Sequence, residues 1–356
     1  MAKKVTMQQI ADYLGVSKFV VSKALSGKGG VNETTKERVI EAASQLGYFA
    51  QKNAYVKNIK PTAPASLSDR SKQSVIVLMP NIRFQTKDSL YWGKILEGIS
   101  QTLEAEGLGM VIISEQRMDN FANVLNPSGI LGMIGVGEIS TSLLLEVHRI
   151  GLPMVLVDHE DALIPTDTVF ANNVDSITRL TKHLIGLGHE RLHFMGDFRF
   201  SRSFRDRWIG FRSALEENSL ETPALDDPML SLFGIDRGEY WEEIKSWFAK
   251  RKKMDKLPTA IVCANDSIGL TVCSALQSLD ISVPQEISVT GFDNIEDAYR
   301  GTPPLTTIHV PKEMLGKRAV EKLLNRIANP HDPLEKVLIS ADIVYRDSVA
   351  EPRARG

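Results

Sequence analysis

The sequence predicts a small α-helical head followed by a larger α/β body of two lobes built on parallel sheets, and three observations carry that prediction. Over the first 60 residues, apolar positions recur at helical spacing in short pieces, each opened by a capping residue and most closed by Gly. From Val75 onward, short β-branched runs alternate with longer helical patterns, which is how parallel strands joined by crossover helices read in sequence. The 356 residues also exceed what one hydrophobic core usually serves, so two or three compact units are expected.

In the head, Thr6 is placed to cap a first helix through Gln8, Ile10, Ala11 and Leu14, ended by Gly15. Ser17 caps a second through Val20, Val21, Ala24 and Leu25, ended near Gly27. After a loop from Gly27 to Asn32, a third runs from about Glu33 to Leu46, where Gly47 is the expected left-handed stop. The stretch Asn58 to Ser74 is rich in Lys, Pro, Ala and Ser and lacks apolar periodicity, so it reads as a flexible linker. Strands are expected at Val75 to Met79, Met110 to Ile113, Ile130 to Val136, Met154 to Val157, Leu192 to Met195, Ala260 to Cys263 and Ser288 to Gly291. About 280 residues is generous for one doubly wound sheet, which favours two similar lobes with a cleft between them.

Composition is that of a globular protein, 43% apolar and 24% charged. The charge is segregated. Residues 1–60 hold ten Lys/Arg against four Asp/Glu, leaving 32 against 40 for the rest. A basic head suggests a polyanionic partner, although a solvated basic face would look the same. No run of 18 apolar residues occurs and the basic start is followed by no apolar segment, so no membrane partner and a cytoplasmic location are expected. Cys263 and Cys273 have no zinc or disulfide spacing and read as buried thiols; neither metal nor cofactor is implied.

Thr6 to Leu25 has the pattern of a helix-turn-helix: Ile10, Ala11 and Leu14 face inward, Gly15 permits the turn, and Val16, Val20, Val21 and Leu25 anchor the second helix. Ser17, Lys18, Phe19, Ser22 and Lys23 then face outward, with lysines able to donate to guanine and an aromatic able to touch a thymine methyl. A generic three-helix bundle shares the apolar spacing.

The text Val-Thr-Met-Gln-Gln-Ile-Ala-Asp-Tyr-Leu-Gly-Val-Ser-Lys-Phe-Val-Val-Ser-Lys-Ala-Leu-Ser-Gly resembles the head of the lac and galactose repressor family of bacterial transcription regulators. Val31 to Val39 and Leu46-Gly47-Tyr48 fit the same pattern, and the likeness runs through the body to Val344-Tyr345-Arg346-Asp347-Ser348. The resemblance implies a periplasmic-binding-protein-like sensor body, a homodimer, double-stranded operator DNA and a small-molecule effector. It implies phosphate contacts at Thr6, Ser17, Ser22, Asn32 and Thr35, base reading by Lys18, Phe19 and Lys23, and further DNA contacts at Tyr48 and Val56. On this reading, 1–57 is the head with its hinge, 58–74 the linker, and 75–356 the effector-binding and dimerisation body.

Two departures stand out. Val20-Val21-Ser22-Lys23 replaces the family's Thr-Val-Ser-Arg, which loses a hydroxyl and exchanges a bidentate guanidinium for a point charge. In the hinge, Lys57 aligns with the Leu that the family wedges into the minor groove, with Val56 and Ile59 the nearest apolar residues, and the connection to Val75 is about ten residues longer than the family's.

Ligands of two-lobed α/β proteins bind at strand carboxyl ends, which points to Tyr91 and Trp92 after the first strand, Asp158, Asn265 and Asp293 after later ones, and Ser203 and Arg207 in a loop-to-helix segment. Taken singly, Tyr91 and Trp92 could be core, a residue beside Asn265 could cap a helix, and Arg207 could pair with a surface carboxylate. The resemblance implies effector contact at Arg207, Asn265 and Asp293, through Ala264-Asn265-Asp266, Gly291-Phe292-Asp293 and the later Pro303-Pro304-Leu305-Thr306-Thr307. Guanidinium, carboxylate and amide suit a polyhydroxylated sugar, with Tyr91, Trp92 and Phe233 covering its apolar face; a purine-like ligand would stack on the same rings. His189 reads as structural. Gly132 to Gly137 is not a dinucleotide fingerprint, and neither a Walker sequence nor a Gly-x-Ser-x-Gly elbow occurs, so catalysis is not expected. A secreted sugar-binding protein would share the body but not the basic head.

Overall fold

The computed structural model describes residues 6–26, 32, 34–35, 38–39, 42–43, 73–79, 90–114, 129–235 and 238–353. In the head, α1 (Met7–Leu14) opens with a reciprocal capping box: the Thr6 side chain accepts from the Gln9 amide, and the Gln9 side chain accepts from the Thr6 amide. It closes at Gly15 with φ 66°, a left-handed turn that a side chain would strain. Ser17 accepts from the Val20 amide to open α2 (Lys18–Ser26). Ile10, Ala11, Val21, Ala24 and Leu25 bury against Val39, Ala42 and Ala43, whose segment is helical at its described positions. The predicted loop at 27–31, the Gly47 stop, Tyr48, Val56, Lys57 and the linker as far as residue 72 lie outside the described residues.

The body has two parallel sheets. The first contains β1 (Ser74–Leu78), β2 (Gly109–Ile113), β3 (Ile130–Val136), β4 (Met154–Val157), β5 (Asp167–Ala171) and β10 (Lys336–Ile339), in the order β10-β5-β4-β3-β1-β2. The second contains β6 (Leu192–Met195), β7 (Ala260–Cys263) and β8 (Ser288–Thr290), and beside it β9 (Thr307–His309) pairs antiparallel with β11 (Asp342–Val344). The predicted strands all form. Ser74, expected as the end of the linker, is the first residue of β1 and pairs with Gly109. Strands β5, β9, β10 and β11 were not expected.

Helices cover both sheets, as buried parallel strands require. Those that matter below are α3 (Leu90–Ala105), α4 (Thr141–Ile150), α5 (Asn173–Gly186), α6 (Arg202–Glu217), α7 (Trp241–Lys253), α8 (Asp266–Gln277), α9 (Glu296–Arg300) and α10 (Lys312–Ala328). The chain passes between lobes at Ala171–Asn173, His309–Lys312 and Ile339–Asp342. After the second passage α10 lies against α3 so closely that a Cβ on Gly316 would stand 2.2 Å from the Ile95 carbonyl oxygen. Farther along α10, Arg326 grips the buried Asp167 with two bonds, at 2.6 and 3.1 Å, and donates to the carbonyls of Asp332 and Pro333, which fixes the return into β10. Cys263 and Cys273 are free and buried, and burial pushes both thiols up in pKa.

Candidate functional site

The strand carboxyl ends supply most of the polar groups in the cleft, and α6 supplies the cation. Ser201 caps α6 by accepting from the Phe204 amide, which aims the first turns of that helix at the opposite lobe. From those turns the Ser203 hydroxyl donates to Asp158, the residue after β4. One turn on, Arg207 is 2% exposed and spends its guanidinium on three partners: Nε donates to Asn173 at 2.9 Å, one terminal nitrogen to the Ala264 carbonyl at 2.7 Å, and the other to Asp293 at 3.4 Å. Asn173 also donates to Ser203 at 3.1 Å, so one amide steadies both α6 residues.

Five of the sequence-predicted residues, Tyr91, Asp158, Ser203, Arg207 and Asp293, therefore share one charged neighbourhood. Burial pushes the Asp158 carboxyl up to about 6, against the opposing pull of Arg207 and the Ser203 hydroxyl. Burial raises Asp293 as well, with Arg207 and Lys312 pulling the other way. The Tyr91 phenol lies well above its usual range through burial and then the nearby Asp158 and Asp293 charges, and its hydroxyl is buried with no hydrogen-bond partner among the described residues. Each carboxylate engages Oδ1 with protein, and among the described residues Oδ2 of each remains open. This set of open acceptors beside an unpaired phenol can receive and donate hydrogen bonds to vicinal hydroxyls.

The other expected residues sit differently. Trp92 packs edge-on to Tyr91 with centroids 4.9 Å apart and stays half-buried. Asn265 caps α8, its side-chain oxygen accepting from the Ile268 amide at 2.9 Å, which leaves only its amide group for a ligand. Phe233 is 80% exposed, in the loop after the Pro228–Leu230 turn, and makes no ring contact among the described residues. Sequence reasoning missed Asn173, Lys312 and the role of Asp266. Asp266 is fully buried, accepts from the Ile295 amide at 2.8 Å and from the Thr307 hydroxyl, and is pushed up to about 7 by burial and the Asp293 charge. His189 bridges Thr259 Oγ1 at 3.0 Å and the Ala350 carbonyl at 2.9 Å, a structural tie.

On the head, Ser17, Lys18, Phe19 and Ser22 are exposed on one stretch of α2, and Phe19 is 67% exposed with the Lys23 ammonium 4.9 Å from its ring centroid. Thr6 and Ser17 are helix caps, and Asn32 accepts from the Thr35 amide at 2.8 Å in the same manner. These expected phosphate contacts thus stand at helix starts, where free backbone N–H groups favour an anion.

Two family models match the chain. The one for bacterial regulatory proteins of the lacI family covers residues 6–51, and the one for the periplasmic binding protein-like domain covers residues 181–349. The chain belongs to the lacI family. Among its relatives, the HTH-type transcriptional repressor PurR of Vibrio cholerae is 27% identical over 353 residues, 97% of this chain and 98% of the relative. Among solved structures, the transcriptional regulator CelR in complex with cellobiose superposes with a TM-score of 0.69 at 19% identity, covering 97% of this chain and 100% of that one. A LacI family transcriptional regulator from Enterococcus faecium with bound ribose superposes with a TM-score of 0.64 at 22% identity, covering 79% of this chain and 100% of that one. As a lacI-family member the chain is a DNA-binding transcription regulator under small-molecule control: α1 and α2 form its helix-turn-helix, and the two-sheet body is its sensor. The family is one of regulators and not of enzymes, and Gly132 to Gly137 lies in β3 and its end. No described helix is long and apolar enough to cross a membrane.

Proposed function

We propose that this regulator is a homodimeric, cytoplasmic repressor whose operator affinity is set by a sugar or sugar derivative bound between the lobes. The observation that carries the reading is the cluster in which buried Arg207 holds Asp293 while Asp158, Asp293 and the unpaired Tyr91 hydroxyl present open hydrogen-bonding groups. A polyol satisfies them; an apolar ligand would leave them desolvated and unpaired, at about 1–3 kcal/mol each. The sugar-bound state of the two solved neighbours supports the same choice. Trp92 offers an apolar face beside Tyr91, while Asn265 contributes its amide group. Phe233 joins only if its loop turns toward the ligand.

On the DNA side, Lys18, Phe19 and Lys23 read bases, and Thr6, Ser17, Ser22, Asn32 and Thr35 hold phosphates. Tyr48 and Val56 complete the contacts from the hinge. The working division is 1–57 for head and hinge, 58–73 for the linker and, since Ser74 opens β1, 74–356 for the sensor and dimerisation body. One head offers few base contacts, so two heads on a palindromic site are needed for specificity. Calorimetry of the full chain with ribose, cellobiose and other neutral sugars, and with adenine as contrast, tests the effector class. Binding of a sugar that Asp158→Ala and Asp293→Ala abolish supports it; binding of adenine alone overturns it.

A further inference from the structure

Lys312 is the first residue of α10, at the second passage between the lobes, and is 6% exposed. Its ammonium donates to the Asp293 carbonyl oxygen and stands 3.4 Å from the carbonyls of Asn294 and Val310. On its other side it lies 5.6 Å from the centroid of the Tyr91 ring, which belongs to α3 in the lobe of the first sheet, across the junction from Asp293. The loop it holds is unusual, because Asp293 has φ 107° and Asn294 φ 53°. Non-glycine residues persist in that region only when their surroundings fix them. Here the Asn294 side chain is held as well, accepting from Arg346 at 2.6 Å and meeting His309 at 3.0 Å, and the Ile295 amide is held by Asp266.

We infer that Lys312 is a positioning residue for the effector cleft: its ammonium clamps the left-handed Asp293–Asn294 backbone so that the Asp293 carboxylate meets Arg207, and ties that loop to Tyr91 across the lobe junction. The geometry divides the labour. Arg207 fixes the side chain of Asp293, and Lys312 fixes the backbone from which it projects. Both lobes meet at this ammonium, so opening the cleft must change its surroundings. The role in ligand recognition rests on the cleft being the effector site, whereas the clamp itself does not.

The test uses the full chain with Lys312→Met, which keeps the apolar stem, and Lys312→Arg, which keeps a cation. Hydrogen exchange read by mass spectrometry, without any added sugar, should show peptides covering 293–295 exchanging about tenfold faster or more in Lys312→Met, with the head and the second sheet unchanged. Lys312→Arg should restore most of the protection. In parallel, calorimetry with ribose and cellobiose should show at least about tenfold weaker binding of whichever sugar the wild type takes up. Unchanged exchange in 293–295, or an arginine variant as unprotected as the methionine one, overturns the clamp. Faster exchange with unaltered sugar affinity overturns its part in recognition. If neither sugar binds the wild type, the effector reading loses support while the exchange result still decides the clamp. Should Lys312→Met not fold, Lys312→Gln is read by the same exchange criterion.

Discussion

The guanidinium carbon of Arg207 stands 3.8 Å from the centroid of the Phe292 ring, while the next residue along, Asp293, meets the edge of the same guanidinium at 3.4 Å. A planar cation thus lies against that ring and is held edge-on by hydrogen bonds, an arrangement open to arginine and closed to lysine. Arg207→Lys keeps the charge but should leave at least two of the three acceptors around it unpaired, at about 1–3 kcal/mol of stability each. Urea unfolding measures it. A loss below about 1 kcal/mol, the range of an exposed pair, would show that the cluster is solvated.

Asp266 gives a pH prediction whose sign is the reverse of the usual carboxylate case. Its folded pKa, about 7, lies above the ordinary 3.8 because burial disfavours the charge. The folded state therefore binds this proton more tightly than the unfolded chain, and stability attributable to Asp266 rises as pH falls from about 7 toward 3.8. His159 and His189, lowered by burial, work oppositely on the total, so the difference from a variant is what reports on Asp266. Relative to Asp266→Asn, the wild type should gain up to about 4 kcal/mol over that range. A difference that is flat with pH contradicts the assignment.

The head separates positioning from reading. Lys18→Ala or Lys23→Ala should lower preference for operator over random duplex by about 1–3 kcal/mol each. Thr6→Val should weaken both duplexes alike, and should also cost the head about 1 kcal/mol through the lost cap on α1. Competition binding against random DNA distinguishes these. Equal losses on both duplexes for the lysine variants would make them backbone contacts.

A dimer is expected because the site halves must be read together. Light scattering of the full chain at micromolar concentration checks it. A monomer that binds operator tightly would remove the dimer from the account.

Much of this architecture could be read in the sequence, because its signals are local. Thr6 and Gly15 bracket α1 in eight residues, and β1 after Ser74, β3 apart from its two glycines, and β4 are apolar runs largely buried in a parallel sheet. Of the strands that escaped, β5 is fully buried but opens on the polar pair Asp167-Thr168, which leaves only three apolar residues to signal it, and the other three are short or one-sided. β9 and β11 have three residues each, and β10 alternates between exposed and half-buried positions on the outer edge of its sheet. Among site residues, Arg207 and Asp293 follow from the family pattern. Asn173 and Lys312 do not, since each acts on a residue 34 or 19 positions away, and only folding brings them together. Asn265 shows the converse: its position after β7 suggests a ligand contact, yet its oxygen serves the helix it begins.

The central claim is that the cleft around Arg207 and Asp293 controls the head. The most direct measurement is operator affinity by fluorescence anisotropy, on duplex selected from random sequence, for wild type and Asp293→Ala, each with and without the sugar found by calorimetry. The account predicts that the sugar changes wild-type affinity by about fivefold or more, that Asp293→Ala abolishes the change, and that the two proteins bind alike when no sugar is present. An equal sugar-dependent shift in Asp293→Ala would contradict it.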